Sequence, residues 1–184
     1  MRGSPRLALV GVCLLLAASC GDNLKPPEQS QPPAPTGPTG QPAVAAWMRF
    51  APDLQAAEHG RFQDQFALYE QRDVFAVIAV PDGGGVRKLR VDLVGPGEAV
   101  LDRRLLGFAT DPSPPDVIDN GAGLQIPVVE AKSTRGRARL HLPIPIAGTQ
   151  AARFHLVGQY RVDVYLEGGA TPVVTGTFEL RGVQ

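Results

Sequence analysis

Residues that could do chemistry are few in this chain, and their spacing assigns no familiar reaction. Three histidines, His59, His141 and His155, are the natural proton carriers and metal ligands. None falls into a His-x3-His or His-Glu-x-x-His spacing, so no metal centre is expected. His141 and His155 alternate with apolar neighbours, which predicts solvent-facing positions on strands. After residue 19 the only serines are Ser30, Ser113 and Ser133, and none sits in a Gly-x-Ser-x-Gly elbow. Asp82-Gly83-Gly84-Gly85 looks like a phosphate loop but lacks the following Lys-Ser/Thr, so it is expected to be a hairpin turn. Asp111, Asp116, Asp119 and Asn120 crowd one loop with calcium-type oxygen donors, yet depart from EF-hand spacing. They are ordinary turn residues. Arg135, Arg137 and Arg139, with Arg103 and Arg104 as candidate neighbours, form the one basic cluster that could meet an anionic glycan or headgroup. The expectation is a non-enzymatic protein without cofactor or metal.

The two cysteines point elsewhere. Cys13 and Cys20 are the only ones, so no disulfide joins later parts of the chain. Arg2 and Arg6 precede residues 7–19 (LALVGVCLLLAAS), an apolar run too short for a bilayer core, which needs about 20 residues. A charged start, a short apolar stretch and small residues make a secretory signal peptide over 1–19. The run Leu16-Ala17-Ala18-Ser19-Cys20 resembles the lipobox of bacterial lipoproteins. Ala17 stands where that motif most often has Leu. The resemblance implies that Cys20 becomes the first mature residue and carries a diacylglyceryl thioether, usually with an N-acyl chain such as palmitate. Several chains make a lasting anchor where a single one does not. Gly21 follows, with Asp22 one place later than the aspartate that retains lipoproteins in the inner membrane. The outer membrane is therefore the expected address.

Residues 20–43 change character. Pro26, Pro27, Pro32, Pro33, Pro35, Pro38 and Pro42 alternate with Gln, Thr and Gly, with almost no large apolar side chain. Such a segment cannot bury enough surface to offset ordering entropy, so a disordered tether is expected. In polyproline II it reaches roughly 60–70 Å, at ~3.1 Å per residue.

The remaining residues, 44–184, must supply the domain. The chain carries 18 Lys+Arg against 18 Asp+Glu, a balance that argues against a nucleic-acid binder driven by positive field. A short helix is expected at 53–59, stopped by Gly60. Beyond it the pattern is that of strands, about seven to eight of them: 65–70, 74–80, 88–94, 99–108, 124–132, 137–144, 160–166 and 172–180. Residues 74–80 (VFAVIAV) are almost continuously apolar, as in a strand covered on both faces. Residues 88–94 alternate, with Leu89, Val91 and Leu93 inward and Lys88, Arg90 and Asp92 outward. The segment 110–123, rich in Pro and Gly, reads as a loop without regular structure. The fold class is all-β, a single β-sandwich.

Residues 156–162 (LVGQYRV) resemble the penultimate strand of immunoglobulin-like domains. The resemblance implies a tyrosine corner, in which the Tyr160 hydroxyl bonds to upstream backbone. Val162 stands at the place of the antibody cysteine. Transthyretin-like sandwiches share this Gly-x-Tyr-x-Val strand, and an ordinary core aromatic is the other reading of Tyr160. Together these features predict a membrane-anchored envelope lipoprotein acting as a protein-interaction or scaffold module. The alternative is a glycan- or peptidoglycan-binding lipoprotein that uses the Arg135, Arg137 and Arg139 region.

Overall fold

The computed structural model describes residues 45–182; Cys20 and the proline-rich segment lie outside them. Two sheets form an all-β sandwich. The smaller contains β1 (Trp47–Ala51), β3 (Asp73–Pro81), β9 (Arg137–Pro145) and β8 (Lys132–Thr134), in the order β1-β3-β9-β8. The larger contains β2 (Gln65–Ala67), β4 (Arg87–Val94), β5 (Val100–Ala109), β6 (Val117–Asp119), β7 (Gln125–Glu130), β10 (Gly158–Leu166) and β11 (Val174–Arg181). Its order is β2-β11-β10-β4-β5-β7-β6. Two short helices, α1 (Leu54–Glu58) and α2 (Gln150–Arg153), complete the described chain.

Strand alternation builds the core. Leu89, Val91 and Leu93 of β4, Tyr160, Val162 and Val164 of β10, and Phe178 and Leu180 of β11 all face inward. They meet Val74, Ala76, Ile78 and Val80 of β3 and Ala138, Leu140, Leu142 and Ile144 of β9. Phe178 lies between Phe50, Phe66 and Tyr160, stacked on the last at 5.3 Å and edge-on to Phe66. Burying such side chains contributes about 1.5–3 kcal/mol each.

The second face of β3 is covered too, which explains its continuous apolar run. Asp53 caps α1 by accepting the Ala56 N–H at 2.6 Å, and the helix lays Ala56 and Ala57 on Val77. Phe75 and the chain's single tryptophan, Trp47, border this small second cluster.

Several expectations need correction. Among the described residues there are eleven strands rather than seven or eight. β1 was not anticipated, β6 forms inside the stretch 110–123, and the run 124–132 breaks at Ala131 so that β7 and β8 join different sheets. Two of the three, β6 and β8, are only three residues long, too short to show a period. Residues 82–85 are not a hairpin turn, since β3 and β4 lie in different sheets and this segment crosses between them. Asp92 does point away from the core, yet it is buried. Arg103 clasps its carboxylate in two bonds of 2.8 and 2.9 Å, and Arg90 covers it while stacking on Tyr165. Alternation predicts direction; it does not predict what long neighbouring arms will cover.

Candidate interaction surface

β3 runs from one end of the sandwich to the other, and at about 3.3 Å per residue its ends lie roughly 25–30 Å apart. The described chain enters at the end where β3 finishes, because Trp47 pairs with Ala79 and Arg137 donates to the Ala45 carbonyl. We call this the near pole and its opposite the far pole.

The near pole is organised by one carboxylate. Asp82 accepts from the Ser133 hydroxyl at 2.6 Å, the Gly84 N–H at 3.1 Å and the Thr110 hydroxyl at 3.3 Å, while its own N–H donates to the Gly136 carbonyl. Three connections are thereby joined. The Ser133 bond first, then the Gly84 bond, hold the Asp82 carboxyl below its ordinary pKa.

The arginine cluster anticipated at this end does not assemble. Arg137 is spent on Ala45, and Arg139 donates to the Ala57 carbonyl at the end of α1. Only Arg135, in the left-handed turn between β8 and β9, stands free of such a bond among these three. Arg103 lies on the outer face of the larger sheet, clasping Asp92 as described. Arg104 faces the opening between the sheets, paired with Asp102 and donating to the Pro143 carbonyl. The acidic loop is likewise internal in its bonding. Asp119 accepts from Gly121 and Gly123, and Asn120 from Ala122 and Leu124. Among the described residues no three His, Cys, Asp or Glu side chains gather as a metal site.

The far pole is different. There the β2–β3 connection brings Tyr69 beside the segment that follows α2. The Tyr69 hydroxyl bonds the His155 Nδ1, with ring centroids 5.7 Å apart. Phe154 is 67% exposed, Tyr69 54% and Val157 48%, so three apolar or aromatic side chains face solvent around the Tyr69–His155 contact. His155 adopts a positive φ of 53°, an uncommon conformation for a residue with a side chain. It therefore lies in a turn, not on the strand that its apolar neighbours suggested.

Comparison with protein-family models, curated proteins and solved structures finds no match.

Tyr160 anchors that segment from below. Fully buried, it donates its hydroxyl to the Leu156 carbonyl at 2.6 Å, four residues upstream, which is the bond a tyrosine corner makes. Burial raises its pKa, so the hydroxyl remains a donor throughout the neutral range. The residues 154–157 are thus fixed on one side by a core tyrosine and on the other by Tyr69. The sequence marks Tyr160 but gives no sign of Tyr69 or Phe154, since an exposed aromatic beside a short helix breaks no strand period.

One side of the sandwich also shows an open strand edge. β5 pairs with β7 only over 107–109, so residues 100–106, paired with β4 on one side, have no strand on the other among the described residues. This edge is guarded. The β4 register shifts opposite Leu101, and the charged pair Asp102–Arg104 points into the opening, two devices that discourage strand addition.

Proposed function

We propose that the chain is a lipid-anchored bacterial envelope protein whose sandwich is a non-enzymatic docking module, with the far-pole aromatic cluster as its contact surface. The lipobox-like run ending in Cys20, with the proline-rich spacer after it, supports the anchor and its outer-membrane address. The position of the cluster supports the docking role most directly. Phe154, Tyr69 and Val157 lie at the pole opposite the point where the chain leaves the sandwich for its tether. An anchored domain so built presents these three side chains away from its attachment. Exposed apolar patches on soluble domains mark interaction sites more often than isolated apolar residues do. Phenylalanine and tyrosine are also enriched at the centres of protein interfaces.

The partner of this reading is another envelope protein. A glycan reading through Arg135, Arg137 and Arg139 loses support, because two of those guanidinium groups are already held by carbonyls. Two variants separate anchor from contact. Cys20→Ala is expected to release the protein from the membrane fraction or leave an unprocessed precursor. Phe154→Ala is expected to keep the protein in membranes yet lose its co-purifying partner. Membrane-bound, unlipidated Cys20→Ala protein contradicts the anchor. An unchanged set of co-purifying proteins with Phe154→Ala contradicts the surface.

A further inference from the structure

His141 points away from the core, as its alternation with apolar neighbours predicts, but it does not stand free in solvent. His141 lies on the outer face of the smaller sheet, paired in register with Val77. It is only partly exposed, and its Nε2 is buried without a hydrogen-bond partner. Val77 is the residue on which α1 rests, so His141 sits at the margin of that helix. Its surroundings are mostly cationic. Arg139, two residues away on β9, carries its own unpartnered Nε and donates Nη2 to the Ala57 carbonyl of α1 at 2.8 Å. Lys132 on β8 stands opposite Arg139, and Arg49 on β1 stands opposite Val77. Glu58, the last residue of α1, is the one acid whose charge bears on the imidazole. The β3 residues Phe75, Val77 and Ala79 add no charge.

We propose that protonation of His141 releases α1 from the outer face of the smaller sheet, making the helix an acid-sensitive latch. In the docked state an imidazolium would place an unpaired N–H in a buried position beside two cations. Undocked, the ring meets water and takes its proton at its ordinary affinity. Burial, then Arg139 and Lys132, push the imidazole below its ordinary value of 6.5, while Glu58 opposes them. A group whose docked pKa is lowered costs nothing above the undocked value, and its penalty grows as pH falls below it. The window accordingly opens near pH 6.5 and extends downward. The helix is the element that yields: it has five residues, one buried face of two alanines and one bond to Arg139. Its release uncovers Val77 and Ala51 while the main core between the sheets stays closed.

Trp47 makes the event visible, because the only tryptophan in the chain borders the α1 cluster. In the full chain, Trp47 emission should shift to longer wavelength as pH falls from about 7.5 to about 5, with the strand signal in far-ultraviolet circular dichroism unchanged. His141→Gln should abolish the shift. Glu58→Gln should leave the onset near pH 6.5 but carry the shift further toward low pH, because without the one opposing acid the docked imidazole takes its proton still less readily. Wild-type emission that stays constant over this range overturns the proposal, and so does a shift that survives intact in His141→Gln. Loss of strand signal together with the emission change also overturns it, since the core would then be opening along with the helix.

Discussion

The two poles of the sandwich handle unpaired chemistry in opposite ways. At the near pole the polar groups are consumed internally: Asp82 takes three donors, and Arg137 and Arg139 take two carbonyls. At the far pole internal bonds hold the backbone while apolar and aromatic groups are turned to solvent. Charge at the near pole is therefore largely architecture, while at the far pole Phe154, Tyr69 and Val157 stay exposed. A charged run in sequence invites a binding interpretation, yet here two of its three arginines are held by carbonyls, while aromatic residues without any motif stay exposed.

Substitutions can break this contrast, and their effects should fall in a definite order. Tyr160→Ala should cost most, about 3–5 kcal/mol in denaturant melts, because it opens a cavity beside Phe178 and frees the segment 154–157. Tyr160→Phe keeps the ring and loses only the bond to Leu156, leaving that carbonyl short of its donor, so about 1–3 kcal/mol is expected. A neutral Tyr160→Phe would show that the corner bond does not hold the far pole. Asp82→Ala should follow at about 1 kcal/mol, the net value of hydrogen bonds at a partly exposed site. Its contribution has a pH signature. The folded carboxyl titrates below its ordinary 3.8, so the stabilisation is complete above that value and is lost as pH falls through the folded pKa. Acid titrations of wild type and Asp82→Ala should therefore converge at low pH; curves that stay parallel would refute the assignment. Phe154→Ala should be nearly silent in the same melts, within about 0.5 kcal/mol, since its ring is mostly in water.

The strands were legible wherever a period of two ran for six residues or more. β4, β9, β10 and β11 lie close to where alternation puts them, and the double coverage of β3 showed in its unbroken apolar run. α1 was legible from Asp53 and Gly60, a cap and a stop. Illegible were the pieces that depend on partners distant in sequence. β6 and β8 exist because β7 and β9 offer edges, and the segment after β3 reads as a hairpin until the sheets are known. The same reason hid the far-pole cluster. Tyr69 and His155 are 86 residues apart, and only the fold brings their rings together. The outward direction of His141 is legible from its own strand, but the burial of its Nε2 beside α1 is not.

The central claim is that the far pole, and not the near one, is the contact surface. A photoreactive residue placed at position 154 or at position 135, in the full chain and in its native membrane, tests it directly. Position 154 should yield a discrete adduct with one envelope protein, lost when Tyr69→Ala is added, while position 135 should yield none. An adduct formed from position 135 with position 154 silent would contradict the account, placing the contact at the pole where the chain enters.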